Sequence, residues 1–268
     1  MWTYPSIDPI ALALGPLQIH WYGLMYLAGF LCFWLYGSYQ AKNNQYWNKD
    51  LVGDFLFYGA LGVILGGRIG YILFYDLPHY IDHPLDMFKL WMGGMSFHGG
   101  LIGVILAMLW FARHKMKVPL FVVSDFVAPM VPFGLFFGRI GNFINGELWG
   151  KVADAHSYFA MKVFDPALNQ VVPKYPTQLL EAFLEGLMLF ILLAIYQKGN
   201  RPMGAVSGMF LVLYGMFRFF VEFFRMPDPQ LGYLMWGWLT MGQILSFPMI
   251  LIGLGLIAWA YRKQNKEA

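Results

Sequence analysis

The chain has 268 residues, of which 59% are hydrophobic and only 12% charged, with a mean hydropathy of +0.53 and a formal net charge of +3. A typical soluble domain is about 25% charged, so the composition excludes a soluble domain and points to an integral membrane protein. The single cysteine, Cys32, excludes an intramolecular disulfide and a cysteine-based metal site.

Seven apolar runs of spanning length are legible, over residues 17–36, 51–75, 97–112, 120–143, 178–196, 205–224 and 239–261. Each approaches the ~20 residues that cross ~30 Å of hydrocarbon at ~1.5 Å per residue. Continuous apolarity without period-two alternation predicts helices and not a barrel. No Lys or Arg precedes the first run. It therefore does not resemble a secretory signal peptide, and the first span is expected to be retained. Cys32 within it reads as a small apolar filler.

The second run carries Arg68 inside GGRIGY (66–71). Two readings stay open for it: helix packing with snorkelling to the interface, or substrate binding. The third run is the shortest and opens with His98 inside GGMSFHGG (93–100). His98 is either a satisfied core histidine or a catalyst, and its flanking glycines imply close approach by backbone or ligand. No His-x-x-x-His, His-Glu-x-x-His or Cys pair lies near it, so metal chemistry is not expected.

The fourth run carries Pro129 and Pro132 and is expected to be kinked or partly buried. It ends in FGRIGNFINGELWG (137–150). An ionised side chain in hydrocarbon costs several kcal/mol or more, so Arg139 does not face lipid. Gly138, Gly141 and Gly146 let backbone come close to a ligand. A buried cation among small residues reads as a site for an anion.

The polar stretch 149–177 is expected to form a small extracytoplasmic subdomain, acting as a plain connector or as a guide or lid for a second substrate. The fifth run opens with Gln178, Glu181 and Glu185. In the sixth, Arg218 and Glu222 stand four apart, share a helix face and can pair. That pair reads as structural, as a holder of the guanidinium for a phosphate, or as both. Pro227 and Pro229 end this helix, and Trp21, Tyr22, Trp236 and Trp238 read as interfacial anchors.

Charge between the runs sets the orientation. One side holds Lys42, Lys49, Arg113, Lys115, Lys117, Lys198, Arg201, Arg262, Lys263 and Lys266; the other holds Lys89, Lys151, Lys162, Lys174 and Arg225. The C-terminus is thus expected in the cytoplasm and the N-terminus outside. His20, Tyr22, Arg68, His98, Arg139, Glu147, Gln178, Glu181, Glu185, Arg218 and Glu222 then fall in the outer half, and Asp54 and Asp125 in the inner half. An ion pathway would string ionisable groups across the full thickness. Polar groups at one depth suggest instead a chamber open to the outer leaflet.

Several motifs carry a family resemblance: HWYGLMY (20–26), GGRIGY, GGMSFHGGLIG (93–103), GRIGNFINGELWG (138–150), RPMGAVSG (201–208) and FRFFVEFFRMPD (217–228). In this order and spacing the chain resembles bacterial prolipoprotein diacylglyceryl transferases, from the first helix to the last. The resemblance implies an all-α integral membrane enzyme of the bacterial inner membrane. It has seven transmembrane helices, a periplasmic N-terminus and a cytoplasmic C-terminus. A single catalytic domain over 1–268 would carry a periplasmic head at 149–177.

The implied reaction moves the diacylglyceryl group of phosphatidylglycerol onto the thiol of a prolipoprotein lipobox cysteine, releasing glycerol phosphate. The implied partners are phosphatidylglycerol, prolipoprotein signal peptides and membrane lipid, with no cofactor, metal or nucleic acid. The resemblance implies His98, Arg139 and Arg218 as catalytic residues. It implies Tyr22, Asn142, Glu147, Gly150 and Glu222 at the substrate site together with those arginines, and Arg68 is kept there as a candidate. Arg139 and Arg218 would hold the phosphate and stabilise the leaving anion, a task that planar, permanently charged guanidinium suits. His98 is the favoured base for the thiol, with Glu147 or water as alternatives. A lipid transporter or flippase is the competing reading; it calls for polarity in both halves or an inverted repeat, and neither is visible. A signal-peptide chaperone leaves the arginines without a purpose.

Overall fold

Every apolar run becomes helix over most of its length. The computed structural model describes residues 2–15, 17–154, 157–199, 201–227 and 232–267. Strands β1 (Trp2–Thr3), β2 (Ile10–Leu14) and β3 (Leu17–His20) come first, then helices α1 (Trp21–Ala41), α2 (Lys49–Phe74), α3 (Leu77–Asp82), α4 (Phe97–Trp110), α5 (Leu120–Val127) and α6 (Val131–Ile144). Strands β4 (Met161–Asp165) and β5 (Gln170–Lys174) follow, and then α7 (Thr177–Glu181), α8 (Leu189–Tyr196), α9 (Ala205–Val221) and α10 (Met241–Glu267).

Among the described residues, five helical stretches are long and apolar enough to cross a membrane: Lys49–Phe74, Phe97–Met116, Leu120–Ile144, Thr177–Tyr196 and Met241–Lys266. Ala205–Val221 is apolar but shorter. Large apolar side chains such as Phe57, Leu73, Ile102, Ile195 and Leu251 stay exposed along these helices. The protein is therefore a mostly helical integral membrane protein.

The expected kink at Pro129 is a 3-10 turn, Ala128–Met130, between α5 and α6, because proline lacks the donor that an α-turn needs there. A π-helical segment, Ala182–Met188, joins α7 to α8. The sixth run stays helical only to Val221; its Pro227 follows a closing turn, and Pro229 lies outside the described residues.

The expectation of helix alone needs correction at the N-terminus and in the polar stretch. Leu17–His20 is not the start of the first helix but strand β3, antiparallel to β2 across a turn with Gly15 at φ +61°. His20 thus sits on a strand. Between 149 and 177, β4 and β5 form a hairpin on which β1 adds as a parallel strand. Val163 and Val172 pair across that hairpin and are buried. Asp165 and Lys174 are also buried and lie 2.8 Å apart, and the ammonium holds the Asp165 carboxyl below the usual carboxylate range.

The backbone groups into two units, one over 34–124 and one combining 1–33 with 125–268. In the first, α2 and α4 approach through small residues. A Cβ on Gly62 would lie 2.6 Å from the Gly103 carbonyl, and one on Gly70 would lie 2.8 Å from the Gly99 Cα. Close small-residue contacts are how helices associate where lipid removes the hydrophobic drive. Asp54 pairs with Lys115 at 2.9 Å.

In the second unit, α9 and α10 pack through Gly208 and Gly253 in the same way. Asp125 accepts hydrogen bonds from Gly204 N, Ser207 N and Ser207 Oγ at 2.6–2.8 Å, satisfying amides at the start of α9. That contact uses Gly204 and Ser207 of the RPMGAVSG motif and gives Asp125 a capping role.

Candidate active site

The site in the second unit begins at the end of α6. Arg139 and Asn142 stand three apart on this helix, and Arg139 Nη1 donates to Asn142 Oδ1 at 3.3 Å. Asn142 Nδ2 in turn donates to Glu147 Oε1 at 2.8 Å. After α6 the chain turns through Gly146 at φ +70°, just before Glu147, and Leu148 at φ +60°, just after it. The Tyr4 hydroxyl donates to the Phe143 and Ile144 carbonyls at 3.0 and 2.9 Å, and Trp149 Nε1 donates to the Gly146 carbonyl at 2.8 Å. Gln178 Nε2 donates to the Glu147 carbonyl and Thr177 Oγ1 to that of Leu148. The carbonyls freed where α6 stops are therefore held by side chains from three parts of the sequence.

Tyr22 of α1 lays its ring on Gly141, where a Cβ would sit 2.7 Å from the ring. Its hydroxyl lies 3.5 Å from that of Tyr26 and within reach of Asn142.

Glu181, fully buried at the end of α7, is the hub of the charged cluster. Its Oε2 lies 2.7 Å from Arg139 Nε and 3.2 Å from Arg218 Nη1, and its Oε1 accepts from Arg225 Nη1 at 2.7 Å. Glu222 joins Arg218 and Arg225 through one oxygen, at 2.5 and 3.1 Å, and accepts from Thr240 Oγ1 through the other at 2.7 Å. The i, i+4 pairing of Arg218 with Glu222 is thus present. Thr240 and Gln243 cap α10 reciprocally: Gln243 N donates to Thr240 Oγ1 and Thr240 N to Gln243 Oε1. Gly242 leaves room there for the Glu222 carboxylate. Glu185, one turn beyond Glu181 within the π segment, is also fully buried; neither of its oxygens has a hydrogen-bond partner among the described residues, and Arg218 Nη1 is 3.8 Å away.

Three guanidinium groups converge here on carboxylates that fix their orientation. The Arg139 and Arg218 side chains remain 22% and 18% exposed, so neither is sealed off. Such an arrangement supplies preorganised cationic donors that cost no reorganisation when negative charge arrives.

The comparison with known proteins agrees with this architecture: residues 9–259 match the prolipoprotein diacylglyceryl transferase family. The chain belongs to that family. It is 73% identical over 268 residues to the phosphatidylglycerol–prolipoprotein diacylglyceryl transferase of Hydrogenovibrio crunogenus, covering 100% of both chains. It is 55% identical to the enzyme so named in Photobacterium profundum, over 99% of this chain and 98% of the relative. With the one from Pseudomonas aeruginosa it shares 53%, over 100% of this chain and 98% of the relative.

Within this family member, Tyr22, Arg139, Asn142, Glu147, Arg218 and Glu222 are joined by one chain of contacts. Gly150 adjoins it: its amide donates to the Tyr175 carbonyl at 2.9 Å, and it forms a bridge with Arg225. Gly150 is needed for closeness and not for an unusual φ, since a Cβ would lie 2.5 Å from the Phe224 carbonyl and 2.6 Å from Thr177 Cγ2. Gly150→Ala is expected to cost about 1–3 kcal/mol by overpacking and to displace Arg225. A thermal midpoint and transfer rate equal to wild type would show that the close approach is unimportant.

Arg68 and His98 belong to the unit over 34–124. All five Arg68 N–H groups donate to backbone carbonyls, those of Asp86, Met87, Lys89, Gly93 and Gly94. Its guanidinium therefore ties down the segment that leads into α4. His98 is exposed in the first turn of α4, next to Ser96, which caps that helix by accepting from Gly99 N at 3.2 Å.

Sequence reasoning put Glu181 in the outer-half polar group without a role of its own, and left Arg225, Thr240 and Tyr4 out of the site. Signals existed for two of them. Arg218, Glu222 and Arg225 recur at i, i+4 and i+7, and Thr240-x-x-Gln243 is a capping-box pattern. Nothing local marks Tyr4.

Proposed function

We propose that this protein transfers the diacylglyceryl group of phosphatidylglycerol to the thiol of a prolipoprotein's lipobox cysteine, the first step of lipoprotein maturation. Full-length identity to relatives bearing the transferase name carries this reading, and the oriented arginine cluster supplies chemistry that suits it. The transporter alternative finds no support in those relatives.

A cysteine thiol with a pKa near ~8.5 loses its proton to become the nucleophile. Thiolate sulfur attacks the diacylglycerol carbon that bears the phosphate. The C–S bond forms as the C–O bond breaks, and glycerol phosphate leaves with the electron pair and one more negative charge. Arg139 and Arg218 bind the phosphodiester and stabilise that added charge more than they stabilise substrate. Asn142 and Tyr22 contact the headgroup, and Glu147 orients Asn142. Glu222 holds Arg218, and Gly150 permits the packing beside Arg225.

His98 acts as the base. His98→Gln is then expected to lose most activity near neutral pH and to recover part of it as the pH rises toward the thiol's own pKa. Turnover near wild type at every pH would move the base to Glu147 or water.

All seven apolar helices span the bacterial inner membrane, with the N-terminus and the 149–177 head in the periplasm and the C-terminus in the cytoplasm. The twofold excess of Lys and Arg on one side supports this orientation. Residues 1–268 act as one catalytic domain opening to the outer leaflet.

The deciding experiment places the purified protein in nanodiscs of phosphatidylglycerol with a lipobox peptide. A peptide mass gain of one diacylglyceryl group, absent when its cysteine is serine, is expected. No gain from folded protein would remove the transferase reading.

A further inference from the structure

A cavity lined by two lysines lies at the end of α1, in the unit over 34–124. It measures about 450 Å³ and is lined by Trp34, Leu35, Ser38 and Tyr39 from α1, by Lys42 just past its end, and by Lys49, the first residue of α2. Lys49 Nζ stands 4.7 Å from the centre of the Trp34 ring, which holds the ammonium over the indole face. Neither Lys42 nor Lys49 has a carboxylate partner among the described residues, whereas Lys115 in the same unit is paired with Asp54. Asp50 shares the first turn of α2 but does not line the cavity.

Leu35 and Tyr39, on the cavity wall, are 52% and 69% exposed. Tryptophan and tyrosine beside lysines at a helix end mark the level of lipid headgroups.

From these features we infer that the cavity binds an anionic phospholipid as a resident, non-substrate lipid, its phosphate between Lys42 and Lys49 and its acyl chain along Leu35 and Tyr39. The match is one of charge and polarity together. Two lysines without a carboxylate partner among the described residues meet the phosphate oxygens, and the exposed apolar wall meets hydrocarbon. The positive end of the α2 dipole coincides with Lys49 and adds to the attraction. A zwitterionic lipid brings its own ammonium to the same place and is disfavoured.

Hydrogen exchange of residues 40–50, read by mass spectrometry on the full protein in nanodiscs, tests this locally and apart from the transfer site. Replacing phosphatidylcholine by phosphatidylglycerol is expected to slow exchange there several-fold. Lys42→Gln/Lys49→Gln is expected to abolish that slowing while leaving the transfer rate unchanged. Lys263→Gln/Lys266→Gln, which removes equal charge elsewhere, is expected to preserve it. Equal exchange in both lipids, or equal loss in both double variants, would overturn the site in favour of diffuse attraction. Slowing produced by inorganic phosphate in phosphatidylcholine alone would overturn the lipid assignment and leave a soluble anion as the occupant.

Discussion

Replacing Arg139 with alanine is expected to lower diacylglyceryl transfer by roughly 10²–10³-fold, the range seen when a preorganised transition-state donor is removed. The loss should appear at every pH assayed, because a guanidinium does not titrate in the working range. Arg139 is placed by two contacts, Asn142 at 3.3 Å and Glu181 at 2.7 Å, while part of its side chain stays accessible. Arg139→Lys is expected to restore little, since a point charge on a flexible stem cannot contact Asn142, Glu181 and a phosphate at once. Retention of more than half of normal activity in Arg139→Ala, measured by the peptide mass shift, would end the phosphate-clamp proposal.

Glu181→Gln is expected to damage both stability and activity. One carboxylate, fully buried, contacts Arg139, Arg218 and Arg225. The amide fills the same volume but removes the charge and one acceptor, leaving three guanidiniums under-compensated. Breaking one partner of a buried ionic network costs about 3–5 kcal/mol, enough to lower the thermal midpoint in detergent markedly. Glu185→Gln is the matched control: among the described residues its oxygens accept no hydrogen bond, and the Arg218 guanidinium stands 3.8 Å away. It is expected to cost less. Equal losses from the two variants would mean that charge balance matters and the hub geometry does not.

Both predictions depend on residues that the sequence shows unequally. Arg139 is conspicuous because an arginine at the end of an apolar run, among glycines, has few explanations. Glu181 is visible as a carboxylate in an apolar run, but its role as a shared partner is not. Its contacts reach α6, α9 and the turn after α9, at sequence separations that no helical period can indicate. Arg225 continues the spacing of Arg218 and Glu222 but lies beyond the helix, and only the turn after Val221 brings it back onto the cluster. Arg68 shows the opposite case. The sequence leaves it open between binding and packing, and the structure engages all its donors with backbone carbonyls of 86–94.

Composition and hydropathy by themselves determined that this is a helical membrane protein and where most of its apolar helices lie, and motifs in fixed order carried the resemblance to its family. Those properties follow from the bilayer, which demands long apolar runs with internally satisfied backbone wherever the chain crosses. The tertiary structure alone decided that β1 adds to the 149–177 hairpin, that Leu17–His20 is a strand, and that Tyr4 holds the end of α6. It also decided which carboxylate holds which arginine. Short strands, end caps and buried ion pairs are stabilised by partners far away in the chain, so local pattern carries little of their information.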